Sequence, residues 1–143
     1  MRHRIYLAAR FSRRSEMRFH RDLLRSRGYL ITSRWLDAHI NNAEGKDSNL
    51  WERDHAQADP FRAICANEDL EDITRADYVI AFTEPPYCDY YPGTGGRHVE
   101  LGYAIAKHKT IFIVGYRENV FHDLPCIHYC ANVWSLLEHF PEL

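Results

Sequence analysis

The chain has no excess of either charge: Lys plus Arg number 18 and Asp plus Glu 20, a net of −2. That balance excludes a generally basic surface for nucleic acid. No apolar run approaches the length of a membrane span. The short run that opens Met1-Arg2-His3-Arg4-Ile5-Tyr6-Leu7 is too brief for a secretory leader. Cysteine is scarce, with four in 143 residues, and in a cytoplasmic protein these are expected to be reduced thiols. Internal repeats and low-complexity segments are also missing. What remains is an ordinary globular composition, 45% apolar and 27% charged, enough for one domain over residues 1–143 with its own core.

Short apolar runs alternate with helical patterns. Ile5 to Ala9 reads as a first buried strand, and Ser12 is placed to cap a helix that runs to Arg27 and stops at Gly28. Tyr29 to Leu36 reads as a second strand. Residues 37–58 are polar and without clear periodicity, a long functional or partly disordered loop. Asp59-Pro60 is a helix start signal, and that helix is predicted to reach about Arg75. Strands follow at Asp77 to Thr83 and Thr110 to Gly115, separated by a loop over Glu84 to Gly96 and a helix ending near Lys107. A short fifth strand at Ile127 to Cys130 and a last helix at Val133 to Phe140 complete the pattern. Alternation of this kind predicts an α/β fold: a parallel sheet with helices on both faces. Ligands in such folds bind beyond the carboxyl ends of the strands. The turns after the first four strands, Arg10 to Arg14, Asp37 onward, Glu84 to Gly96 and Tyr116 to His122, should therefore meet on one rim.

Glu100 is the foremost candidate on that rim. It follows Gly95-Gly96, and the helix that continues through Gly102, Ala104 and Ala106 is suited to close packing. A glutamate at a helix start complements the dipole and stays ionised, as a carboxylate nucleophile requires. The plainer reading of Glu100 is that dipole contact alone. Asp69 shares a four-residue spacing with Phe61, Cys65 and Ile73, which places a carboxylate on a stripe expected to be buried. Glu68, Glu71 and Asp72 fall off that stripe and are expected in solvent. Function and a structural hydrogen bond are equally open for Asp69. Tyr6 lies in a strand buried on both faces, so its hydroxyl needs a partner; it is a core tyrosine unless that partner is a carboxylate. Arg10, Arg13 and Arg14 surround Ser12 at a helix start, an arrangement fit for an anion or simply a solvated basic turn. Phe11 among them is placed to stack on a base.

His122, Cys126, His128 and Cys130 cluster without the paired spacing of zinc ligands, so no metal is expected there. No cysteine stands at a clear helix start, which argues against a thiolate nucleophile.

These motifs together resemble the nucleoside 2-deoxyribosyltransferase superfamily, including the 2'-deoxynucleoside 5'-phosphate N-hydrolases and related nucleotide glycosidases. The resemblance rests on Ile5-Tyr6-Leu7, Asn67-Glu68-Asp69-Leu70 and Val99-Glu100-Leu101-Gly102-Tyr103-Ala104, and it spans the chain from Ile5 to about Val120. The chain also looks similar to bacterial and phage members with Arg10-Phe11-Ser12-Arg13-Arg14, Thr32-Ser33-Arg34-Trp35-Leu36, Ala81-Phe82-Thr83-Glu84-Pro85-Pro86 and Glu118-Asn119-Val120-Phe121-His122. The resemblance implies a flavodoxin-like three-layer sandwich with about five parallel strands. It implies a homodimer or higher oligomer with sites at the interfaces, a nucleoside or nucleotide ligand, and no cofactor. Glu100 would be the nucleophile at the anomeric carbon, oriented by Tyr6, with Asp69 as acid/base or binding group.

Two departures bear on the reaction. Transferases of the superfamily typically carry an Asp six residues before the nucleophile, where this chain has Thr94; the nucleotide N-hydrolases have a hydroxyl residue there, which helps bind the 5'-phosphate. After the first strand the family's small residues are replaced by Ala9-Arg10, which adds positive charge. Both favour hydrolysis of a nucleotide. On this reading Arg10, Ser12 and Thr94 hold the phosphate, Gly95 and Gly96 let the backbone approach the substrate, Phe11 and Trp35 meet the base, and Asn119 is donated across the interface. Base exchange by a nucleoside 2-deoxyribosyltransferase is the alternative enzyme reading. A nucleotide or ADP-ribose binding module without turnover is the non-enzyme reading.

Overall fold

The computed structural model describes residues 2–37, 60–85 and 95–143. The expected loop over 37–58 and the segment with Thr94 therefore lie outside the described residues, apart from Asp37. Five strands, β1 (Arg4–Ala8), β2 (Leu30–Ile31), β3 (Tyr78–Phe82), β4 (Thr110–Val114) and β5 (Ile127–Cys130), form one all-parallel sheet in the order β2-β1-β3-β4-β5. Among the described residues four α-helices accompany them: α1 (Arg14–Ser26), α2 (Pro60–Arg75), α3 (Gly96–Ala106) and α4 (Val133–Leu137). This is the flavodoxin-like α/β arrangement, with β1 and β3 flanking the point where strand order reverses.

The central strands are apolar without alternation because both faces are covered. Ile5 to Ala8, Val79 to Phe82 and Ile111 to Val114 are all buried. Each large apolar side chain there contributes about 1.5–3 kcal/mol by leaving water. The carboxyl-terminal segment after α4 closes over the end of α1: the Leu143 N–H donates to the Arg27 carbonyl, and Tyr29 meets Phe140 edge-on at 5.3 Å. On the opposite face α2 and α3 pack together, joined by the Thr74 and Tyr103 hydroxyls at 3.0 Å. Gly28 takes φ +98° where α1 turns toward β2, as its predicted stop role requires.

Three details differ from the pattern read in the sequence. The second strand is only Leu30–Ile31, and Arg34–Leu36 forms a 3-10 turn. Side chains replace the sheet ladder there: Ser33 Oγ accepts the Leu7 N–H at 2.6 Å, and Trp35 Nε1 donates to the Leu7 carbonyl at 2.9 Å. Ser12 does not cap α1; it lies in a 3-10 turn over Phe11–Arg13, and Arg13 stands at the cap position without a capping side-chain hydrogen bond. The last helix ends at Leu137 rather than Phe140.

Candidate active site

A positive φ of +84° at Gly95 sets the chain into α3, a conformation suited to glycine. Its carbonyl accepts the N–H groups of His98 and Val99 and so closes the first turn. Arg97, Leu101 and Ala104 are the buried positions of α3, spaced by four and three residues. That stripe faces the sheet. Glu100 is three residues after Arg97 and four before Ala104, so it shares the face.

β1 supplies the partner. Tyr6 is fully buried, and its hydroxyl donates to Glu100 Oε1 at 2.7 Å. Burial, then the nearby charges of Glu100 and Asp69, push the Tyr6 hydroxyl well above its ordinary value. It therefore remains a neutral donor across the working pH range. The charge of Asp69, on α2, also acts on the Tyr6 hydroxyl. The structure thus joins Tyr6 and Glu100 directly, from two separate elements, with the Asp69 charge felt at Tyr6 from a third.

The buried stripe expected for α2 is only partly present. Phe61 is half exposed, Cys65 and Asp69 are partly exposed, and Ile73 is buried. Asp72, expected in solvent, is instead fully buried. The reason is a pairing across the fold: Asp72 accepts the Arg34 N–H and Arg34 Nε, each at 2.8 Å, and is bonded by Arg75. Cations from two elements compensate its desolvation.

The predicted rim also forms. Arg13 donates to the Thr83 carbonyl and to Glu84, both at 3.2 Å, while Arg14 donates to the Asp37 carbonyl. Glu84 N–H donates to Glu118 at 2.6 Å. The turns after β1 to β4 are joined by these contacts. The basic turn is largely neutralised from within: Arg13 pairs with Glu16 and Glu84, and Arg10 lies 3.9 Å from Glu84. Phe11 and Trp35 approach at 6.4 Å with tilted rings; Trp35 is buried and tied to Leu7, and Phe11 is partly exposed. Ser12 is exposed and lines a cleft of about 630 Å³ with Arg13, Glu84, Gly115 and Asn132. Neither Tyr6, Glu100 nor Asp69 lines that cleft. Gly95 and Gly96 stand at the start of α3. Asn119 caps the 3-10 turn over Val120–Asp123, accepting the Phe121 N–H, and its amide approaches His98 at 3.5 Å.

Sequence reasoning missed Arg97 and Glu118. Arg97 is 7% exposed and bonds both Glu118 oxygens through Nη2. Burial acts to raise the Glu118 carboxyl, but the Arg97 hydrogen bonds, the Glu84 N–H and the Arg97 charge outweigh it and hold it below the ordinary range. The available signal was the register of Arg97 with Leu101 and Ala104. Of the His/Cys cluster, Cys126 and His128 are exposed, Cys130 is buried, and His122 joins His98 and Glu118. Ligand atoms of those three lie within 4.8 Å of one another. The donor set does not suit a metal ion. Glu118 is held by Arg97, and His122 Nδ1 accepts the Glu118 N–H at 3.0 Å. Burial lowers His122, so the ring is neutral at neutral pH with its proton on Nε2 and its lone pair already used.

No protein-family model matches the chain, and no curated protein sequence does. Solved structures do match over nearly the whole length. The CMP N-glycosidase of Clostridium botulinum is 22% identical, with a TM-score of 0.55 over 95% of this chain and 96% of that one. The 2-deoxyribosyltransferase of the psychrotolerant Bacillus psychrosaccharolyticus is 20% identical, with a TM-score of 0.62 over 97% of this chain and 96% of that one. The fold is that of these neighbours. No helix among the described residues is long and apolar enough to cross a membrane.

Proposed function

We propose that the protein is a cytoplasmic N-glycosidase that hydrolyses the base–sugar bond of a nucleoside or deoxynucleoside 5'-monophosphate. The observation that carries this reading is the Tyr6 hydroxyl on Glu100 Oε1 at 2.7 Å, with the Asp69 charge also felt at Tyr6; Glu100 lies just past the first turn of α3 rather than at the helix start read from the sequence. A carboxylate held by a neutral donor keeps its charge and gains a fixed orientation. Glu100 Oε2 attacks the anomeric carbon as the carbon–nitrogen bond breaks, and the bonding pair leaves with the base. Asp69 binds the leaving group or delivers its proton. Water then attacks the glycosyl ester, which frees the sugar phosphate and restores the Glu100 carboxylate. The likeness to a CMP N-glycosidase supports this substrate class. The match of Thr94 to the hydroxyl residue of the nucleotide N-hydrolases, six residues before Glu100, favours phosphate and water over a second base.

Base exchange is the second reading, supported by the 2-deoxyribosyltransferase neighbour. Chromatography of nucleoside monophosphates incubated with the protein tests the first, which expects free base and sugar phosphate. Adding a second free base separates the two, because transfer alone makes a new nucleoside. Saturable nucleotide binding with no base release contradicts both and leaves the binding module. We also place the site at a homo-oligomer interface. Exposed Val99, Val120 and Phe121, on α3 and the turn whose cap approaches it, support that arrangement. Light scattering of the eluting protein tests it: a monomer at working concentration overturns this part.

A further inference from the structure

We infer that Arg14, Arg18 and Arg21 form an anion site, separate from Glu100, that takes a phosphate dianion, free or as the end group of a small phosphorylated molecule. Residues at these spacings share one face of a helix, so α1 carries the three cations in a row. α1 packs with the carboxyl-terminal segment, on the face of the sheet opposite α2 and α3. None of the three arginines lines the cleft beside Ser12.

The row closes on two adjacent carbonyls. Arg18 Nε and Arg21 Nη1 donate to the same Leu36 oxygen, at 2.8 and 3.2 Å, and Arg14 Nη2 donates to the Asp37 carbonyl. Two guanidiniums on one oxygen stand closer than their charges favour, and a carbonyl cancels no charge. Carboxylates pair with Arg21: Asp22 Oδ1 accepts its Nε at 2.8 Å, and Asp37 Oδ1 lies 3.7 Å from its Nη1. No carboxylate among the described residues pairs with Arg14 or Arg18. Burial and then the charge of Arg18 hold the Arg14 guanidinium below its ordinary value, although Asp37 acts the other way. The Phe11 ring, 5.3 Å from Arg14, offers a face but no net charge.

Donors are left over as well. Arg14 Nε is buried with no hydrogen-bond partner. Arg14 Nη1, Arg18 Nη1 and Nη2, and Arg21 Nη2 make no hydrogen bond among the described residues. Arg18 thus presents both ends of its fork. Two cations without a carboxylate match a phosphate group, which carries about −1.5 to −2 charge near neutral pH and accepts through three oxygens. The turn before α1 differs, because Arg13 there is taken by Glu16 and Glu84.

The test is calorimetric titration of the full chain with inorganic phosphate and, separately, glycerol phosphate, at low salt and again at about 0.15 M salt. Wild type is expected to bind both saturably, and more weakly at the higher salt. Arg18→Gln keeps a donor for the Leu36 carbonyl and removes the charge. It should weaken binding by about 10-fold or more, the loss expected for a charge-assisted hydrogen bond. Arg14→Gln should act in the same direction and stands in if Arg18→Gln does not fold. Arg25→Gln is the control, since Arg25 lies on the same helix but near Asp22, at 3.9 Å; less than about a 2-fold change is expected. Tighter binding of the ester assigns the site to phosphorylated molecules, and equal binding assigns it to the free ion; both support it. No saturable binding to wild type, binding undiminished in Arg18→Gln and Arg14→Gln, or equal weakening by Arg25→Gln overturns the inference. The readout is binding, so it decides the matter whether or not the protein releases a base.

Discussion

Asp72 and Glu100 are both carboxylates on helices of the same face of the sheet, and their surroundings divide them. Asp72 is fully buried and bonded by two arginines and a backbone N–H. Glu100 is partly exposed and takes the neutral hydroxyl of Tyr6. A carboxylate surrounded by cations is a fastening, since its lone pairs and charge are consumed. The Tyr6 hydroxyl orients Glu100 without adding charge, and on the proposed function that carboxylate meets an incoming electrophile. Burial alone singles out Asp72; the Tyr6 contact singles out Glu100, on which the proposed function rests.

Substitutions sharpen that contrast. Glu100→Ala should carry the largest effect, a loss of about 1,000-fold or more in kcat for base release, with the unfolding midpoint near wild type. Asp72→Ala should do the reverse. It leaves Arg34 and Arg75 facing an emptied site and should cost roughly 2–4 kcal/mol in urea unfolding. Catalytic loss without destabilisation at Asp72, or the converse at Glu100, breaks the comparison. Tyr6→Phe keeps the ring in the core and removes only the donor. A fall of about 10–100-fold in kcat is expected, with the far-ultraviolet spectrum unchanged.

The smallest effect belongs to a surface pair. Asp77 accepts the Arg4 N–H at 2.8 Å and Arg4 Nη2 at 3.0 Å, and those hydrogen bonds hold its carboxyl below the ordinary range. A carboxyl depressed in the folded state stabilises above its unfolded pKa, near 4, and that contribution is lost as pH falls through the folded value. Asp77→Asn should therefore cost less than about 1 kcal/mol at neutral pH. The gap from wild type should close on acidification below pH 4 in paired denaturation curves.

The sheet was legible because both faces of its central strands are apolar and glycines stand at turns that need them. The positions of Tyr6 and Glu100 were legible for the same reason, a strand and a glycine-led helix, although Glu100 lies just past the first turn of that helix and not at its start. Asp72 was misread because periodicity within one helix carries no word of Arg34, which arrives from a distant turn. The second strand was overextended because side-chain bonds from Ser33 and Trp35 to Leu7 displaced the ladder. Arg97 and Glu118 went unnoticed because a buried ion pair is tertiary information; only the register of Arg97 with Leu101 hinted at it.

The claim that Glu100 is the nucleophile is tested most directly by quenching the protein in acid during turnover of a nucleoside monophosphate and mapping its peptides by mass. The account predicts a sugar-phosphate ester on the peptide that carries Glu100, absent from Glu100→Ala. An adduct on another residue, or base release that continues undiminished in Glu100→Ala, would contradict it.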